Sequence, residues 1–123
     1  ISIFAFGRMV PIALNVAEIL KSNNLKPYVI NLRFAKPLDE DLIYELSQKS
    51  KLIVTIEDNV IAGGVGSAIL EFLNSKDINL PMLRLGFPDK FIEHGDVNSL
   101  FKKYSLDAES IARSILEKYK GLI

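Results

Sequence analysis

The chain has 123 residues, of which 49% are hydrophobic and 24% are charged, and its fifteen basic side chains balance its fifteen acidic ones. This composition is ordinary for one globular domain with its own core. A neutral total disfavours a nucleic-acid-binding domain, since such domains are usually basic. The absence of cysteine excludes disulfides and thiolate chemistry, and no apolar run approaches the ~18 residues of a membrane span.

The first elements of the chain are a strand and a helix. Residues 1–6 (ISIFAF) form a short apolar run that predicts a buried strand, and Ile1 already lies inside it. We therefore expect this sequence to be a piece of a larger protein, with sequence missing upstream. Apolar side chains on one stripe between residues 9 and 20 then predict a helix, with Pro11 tolerated in its first turn.

The remaining elements continue the alternation of strand and helix. Strands are predicted at residues 27–32, 51–56 and 81–85, and helices after the acidic residues 39–41, after the glycines at 63–66, near residues 97–104 and after the N-cap residue Asp107. Alternation with connections of this length implies a parallel sheet with helices on both faces. We predict one α/β domain over residues 1–123, a three-layer α/β/α sandwich with an open, mainly parallel sheet.

The most informative stretch is residues 51–66 (KLIVTIEDNVIAGGVG). Ligands and partners meet an open parallel sheet at the carboxyl ends of its strands, and residues 57–66 are such an end. Glu57 and Asp58 could do acid–base work or bind a metal, but adjacent strand residues point to opposite faces, which favours a solvated or interface-facing pair. If the first and third strands are neighbours, Arg8 and Glu57 flank the crevice, and we predict an ion pair between them at a domain contact.

The glycines Gly63, Gly64 and Gly66 precede the third predicted helix, where backbone N–H groups could cradle an anion. Their spacing fits neither a Rossmann fingerprint nor a P-loop. A tight turn that lets the helix pack close to the sheet is the favoured alternative. Gly64 is predicted to need a positive φ.

His94 is the single histidine. It could be a general base, but no Ser or Cys nucleophile is tied to it, and one His without clustered carboxylates is a poor metal ligand set. A structural or interface role is favoured for His94. The residues by themselves therefore assemble no active site.

Four segments together resemble the C-terminal domain of the 1-deoxy-D-xylulose-5-phosphate synthases, a family of the transketolase superfamily. They are residues 4–7 (FAFG) with 9–10 (MV), 33–39 (RFAKPLD), 54–67 (VTIEDNVIAGGVGS), and 84–89 (RLGFPD) with 91–95 (FIEHG). The fourth segment favours these synthases over the transketolases and the 2-oxo acid dehydrogenase beta subunits. Residues 106–109 (LDAE) also fit, so the resemblance covers essentially the whole chain.

The resemblance implies a thiamine diphosphate- and Mg²⁺-dependent parent enzyme that condenses pyruvate with glyceraldehyde 3-phosphate and releases CO₂. Its cofactor motif Gly-Asp-Gly and catalytic His and Glu belong to the first two domains, and this sequence has no Gly-Asp-Gly. The resemblance thus implies no catalytic, cofactor or metal residue here, and a domain that contacts its upstream neighbours and helps build a homodimer.

Further expectations concern topology and location. The family's third domain has five strands, of which the first is antiparallel to the rest. Four strands are predicted here, so the missing one is expected upstream of Ile1. The resemblance also implies that the four strands lie side by side in the order second, first, third, fourth. A bacterial cytoplasm is expected, with a plastid as the alternative. The open alternatives are a transketolase or 2-oxo acid dehydrogenase domain and a free-standing anion-binding module.

Overall fold

A computed structural model describes residues 1–33, 37–61, 63–88 and 95–123. The strands are β1 (Ser2–Phe6), β2 (Tyr28–Leu32), β3 (Ile53–Val60) and β4 (Met82–Phe87), and the helices are α1 (Met9–Lys21), α2 (Glu40–Lys49), α3 (Val65–Ser75), α4 (Val97–Lys103) and α5 (Ala108–Lys120). The described strands form one sheet in the order β2-β1-β3-β4, and every pairing is parallel. The predicted strand order and α/β class are confirmed.

Two apolar cores lie on opposite faces of the sheet, which confirms the three-layer architecture. Alternate strand residues supply the two faces, because successive side chains of a strand point in opposite directions. One core contains Ile3, Val54 and Ile56 with buried residues of α1, α4 and α5. The other contains Phe4 and Ile53 with buried residues of α2 and α3.

The connections leave the central strands in opposite directions. The chain passes from β1 through α1 to β2 on one side, and from β3 through α3 to β4 on the other. The carboxyl ends of β1 and β3 therefore flank the topological switch point, where open α/β sheets meet their ligands and partners.

Two strand ends differ from the sequence prediction. β3 was expected to stop at Ile56 but continues to Val60, and β4 continues to Phe87. The pairing of β3 with β4 shifts register between Ile56, opposite Leu85, and Val60, opposite Phe87. This irregularity spans Glu57 and Asp58, and such bulges bend a strand and re-aim its side chains.

The helix ends follow local chemistry. The side chains of Asp39, Asp96 and Asp107 each accept a backbone N–H in the first turn of α2, α4 and α5, as N-cap residues do. Three helix ends instead use a left-handed residue that lets the following N–H return to the helix. These residues are Asn24, Asp77 and Ser105, with φ of 63°, 56° and 61°.

Within the described ranges, none of the helices has the length and apolar character needed to cross a membrane.

Candidate functional site

Glu57 is the buried carboxylate of the site, with only 1% of its surface exposed. Its Oε1 accepts the backbone N–H of Val65 at 3.0 Å, and its Oε2 accepts that of Gly66 at 2.9 Å. These are the first two N–H groups of α3, whose own N-cap residue, Gly64, has no side chain to offer. A carboxylate at a helix N-terminus satisfies donors that the helix leaves unpaired and is favoured by the helix dipole.

Asp58 points to the other face of the sheet. Its Oδ2 lies 2.8 Å from Nε of Arg8, the residue that precedes α1. The predicted ion pair between Arg8 and Glu57 is therefore wrong. Because β3 continues through both carboxylates, alternation sends Glu57 toward α3 and Asp58 toward the start of α1.

Arg8 is mostly exposed, with 63% of its side-chain surface accessible against 16% for Asp58. Its guanidinium carbon lies 5.9 Å from the ring centre of Phe101 in α4. Phe101 in turn packs against Phe87 at the end of β4, with ring centres 6.0 Å apart. The ends of β1, β3 and β4 thus meet α4 around one exposed guanidinium.

The glycines have distinct roles. Gly63 has the positive φ, 74°, whereas Gly64 has φ −85° and ψ −166° and is extended. The prediction of a positive φ at Gly64 is wrong by one residue. Gly66 is buried against the sheet, and a Cβ on it would lie 2.5 Å from Oγ1 of Thr55 and 3.3 Å from the side chain of Arg84. This geometry agrees with the interpretation of the glycines as a tight turn that brings α3 close to the sheet.

Sequence reasoning missed a polar link beneath α3. Arg84 of β4 donates from Nη1 to Oγ of Ser67 at 3.0 Å, and the Ser67 hydroxyl donates to the carbonyl of Ile61 at 3.1 Å. Strand alternation could have found Arg84, because it lies opposite Thr55 in the register and so shares the α3 face.

With this geometry established, the chain can be compared with known proteins. The family model described as the C-terminal domain of transketolase matches residues 1–111. The chain belongs to the transketolase C-terminal domain family.

Three curated relatives of this family member carry the same name. A 1-deoxy-D-xylulose-5-phosphate synthase of Caldanaerobacter subterraneus subsp. tengcongensis is 67% identical over 122 residues, which is 99% of this chain and 20% of the relative. The synthase of Clostridium tetani is 44% identical over 95% of this chain and 19% of its own length. That of Hahella chejuensis is 47% identical over 98% of this chain and 18% of its own length. The chain thus spans about a fifth of the relatives' length, and its resemblance to their C-terminal domain is confirmed.

Solved structures support the same fold. A split-gene transketolase, described as an "inactive beta4 tetramer", superposes on this chain with a TM-score of 0.89 at 29% identity. The match covers 99% of this chain and 40% of that one. The transketolase of Campylobacter jejuni superposes with a TM-score of 0.69 at 16% identity, over 94% of this chain and 16% of that one. The second likeness concerns the fold alone.

The described residues of this transketolase C-terminal domain contain no cluster of side chains with the makeup of a metal site. No group of three or more His, Asp or Glu side chains converges within residues 1–33, 37–61, 63–88 and 95–123. Asp58 and Glu57 point to opposite faces, and both oxygens of Glu57 are already engaged by backbone N–H groups. His94 lies outside the described residues.

Proposed function

We propose that this chain is the C-terminal domain of a 1-deoxy-D-xylulose-5-phosphate synthase. The parent enzyme would condense pyruvate with glyceraldehyde 3-phosphate and release CO₂, giving 1-deoxy-D-xylulose 5-phosphate for isoprenoid, thiamine and pyridoxal biosynthesis in a bacterial cytoplasm. The observation that carries this proposal is the 67% identity over 122 residues with a relative of that name.

Within that enzyme we assign the chain a non-catalytic role. Thiamine diphosphate and Mg²⁺ would be held by parts of the parent outside this chain, since the sequence has no Gly-Asp-Gly and the described residues offer no converging ligand set. The carboxylate most suited by its burial to acid–base chemistry, Glu57, is committed to the start of α3.

The chain's contribution would be an interface with the upstream domains and with a second copy of the enzyme. Arg8 supports this assignment, because Asp58 and Phe101 hold its guanidinium in place while 63% of its side chain stays exposed. An arginine ordered before association loses little conformational entropy on binding, and such arginines are enriched among the residues that dominate interface energies. Gly63 lies exposed on the same edge of the sheet.

Activity of the complete protein tests the parent assignment. Pyruvate, glyceraldehyde 3-phosphate, thiamine diphosphate and Mg²⁺ are supplied together, and CO₂ and the five-carbon product are measured. We expect both, and no product from the 123-residue chain alone under the same conditions. A complete protein that binds the cofactor but forms no product contradicts the synthase assignment, and turnover by the isolated chain contradicts the non-catalytic role.

An Arg8→Ala variant of the complete protein tests the interface. We expect weaker self-association in sedimentation velocity or weaker protection of this domain from proteolysis, with the fold intact by circular dichroism. Lys21→Ala is the matched control, because Lys21 is an exposed cation that pairs with Glu18 at the other end of α1. Equal self-association and equal protection from proteolysis in both variants and the unmodified protein would contradict an interface at Arg8.

A second candidate is a transketolase, which is favoured by the TM-score of 0.89 with the split-gene transketolase. Xylulose 5-phosphate and ribose 5-phosphate, given to the complete protein with thiamine diphosphate and Mg²⁺, distinguish the two. Transfer of a two-carbon unit between these sugars, without consumption of pyruvate, would favour the transketolase.

A further inference from the structure

The start of α3 has the geometry of an anion site that is already filled by the chain itself. Two successive backbone N–H groups, of Val65 and Gly66, converge on one carboxylate at 3.0 and 2.9 Å. That carboxylate belongs to Glu57, eight and nine residues earlier in the chain, and is 1% exposed. Successive N–H groups at a helix N-terminus are the arrangement with which proteins bind phosphates and carboxylates.

A second polar group lies at the same turn without a partner. The hydroxyl of Thr55 is 2% exposed, and its Oγ1 has no hydrogen-bond partner among the described residues. A Cβ placed on Gly66 would approach this oxygen to 2.5 Å, so the hydroxyl lies against Gly66 at the start of α3. Buried hydroxyls are rarely left unpaired, because the lost hydrogen bond costs stability.

The neighbouring strand β4 places the side chain of Arg84 beside Gly66. Arg84 lies opposite Thr55 on β4, and only its Nη1 donates within the described contacts, to Ser67. Gly66 carries no side chain into this space. The two backbone donors of the turn thus bind Glu57, while Thr55 and the aliphatic part of Arg84 pack against Gly66.

We propose that the glycine turn before α3 is a carboxylate-binding cradle, that Glu57 is its internal occupant, and that a small free carboxylate such as formate or acetate takes the place of the side chain when Glu57 is shortened. In the intact chain the cradle is closed to external anions. Glu57 is a positioning residue: it fixes the start of α3 relative to the end of β3, and so sets the turn that carries Gly63.

Hydrogen exchange of the complete protein tests the proposal, with fragmentation that resolves the amides of Val65 and Gly66. In Glu57→Ala, these two amides should exchange about tenfold faster or more, because each loses a charge-assisted hydrogen bond. Sodium formate should restore slow exchange, whereas sodium chloride at the same ionic strength should not. Glu45→Ala is the control, since it removes an exposed carboxylate paired with Lys49 and should leave both amides unchanged.

Three results would overturn the proposal. The first is unchanged exchange at both amides in Glu57→Ala, and the second is equal rescue by formate and chloride. The third concerns a second variant, Glu57→Gln, which is used if Glu57→Ala does not fold. It keeps the volume of the side chain but replaces one acceptor by a donor. Its Val65 and Gly66 amides should exchange faster than those of the unmodified protein, and equal rates would refute the role of the carboxylate.

Discussion

Arg8 and Asp58, fifty residues apart in the chain, form a side-chain ion pair of 2.8 Å across the switch point of the sheet. The pair joins the residue before α1 to the irregular end of β3. One partner is mostly exposed, so water and salt screen the attraction.

The stability contribution of this pair should accordingly be small. In a double-mutant cycle with Arg8→Ala and Asp58→Ala, we expect a coupling free energy of about 0.2–1 kcal/mol that decreases with added salt. Urea unfolding of the four proteins measures it. A coupling well above this range, insensitive to salt, would mean that the pair is effectively buried.

Gly66→Ala should lower the free energy of unfolding by about 1–3 kcal/mol, the usual cost of overpacking a dense interior. The added Cβ meets Oγ1 of Thr55 at 2.5 Å and the Arg84 side chain at 3.3 Å. Combining it with Thr55→Ala removes the closest contact and should recover part of the loss. Gly95→Ala is the control, because within the part of the chain that the structure describes its Cβ would contact Leu100 alone, at an ordinary 3.6 Å. Equal unfolding midpoints for the two alanine variants would contradict the close approach.

Gly63→Ala tests the positive φ of 74°. Among the described residues, no atom lies within 4 Å of a Cβ at this position, so we expect backbone strain to dominate. We expect a loss of about 1–2 kcal/mol, and a smaller one for Gly63→Asn, since asparagine tolerates the left-handed region better. Thermal unfolding of the two variants gives the comparison, and an asparagine variant no more stable than the alanine variant would argue against this backbone conformation.

Ser105→Gly should stabilise the chain by about 0.5–1 kcal/mol, because Ser105 ends α4 with φ 61° and glycine adopts that conformation without strain. Ser114→Gly serves as the opposite case, since Ser114 lies in the interior of α5, where glycine destabilises a helix. Chemical denaturation of both variants should move the midpoint in opposite directions. A shift of both midpoints to lower denaturant would refute the assignment of Ser105.

The stability supplied by the Asp107 cap should depend on pH. Burial alone would raise the pKa of Asp107, but hydrogen bonds from the hydroxyl and the N–H of Ser110 lower it below its ordinary value. A lowered pKa in the folded state means stability that is present above the unfolded-state pKa and is lost as pH falls through the folded-state value. Asp107→Ala should therefore cost about 0.5–2 kcal/mol at neutral pH, and the difference from the unmodified chain should shrink in acid. Urea unfolding at several pH values measures this, and a constant difference would exclude the charged cap as its cause.

Periodicity and capping predicted the layers and the cap at Asp107, because both are encoded locally, whereas the strand order was implied by the resemblance to the synthases. Sequence reasoning misassigned the partner of Arg8 because that assignment depends on where β3 ends. With a strand ending at Ile56, Glu57 would already lie in a connection; with β3 continuing to Val60, alternation buries Glu57 and turns Asp58 toward Arg8. The positive φ fell on Gly63 rather than Gly64 for a similar reason, since residue type alone does not distinguish two adjacent glycines.

The two neighbouring carboxylates of β3 connect the two helical layers of the sandwich. Glu57 anchors α3 on one side of the sheet, and Asp58 holds Arg8 at the entrance to α1 on the other. A single peptide bond therefore separates the two anchor points. A partner that separates Arg8 from Asp58 therefore acts on the same short piece of backbone that orients α3. Binding at Arg8, on one face of the sheet, is thus one residue away from the contact that holds the helix on the opposite face.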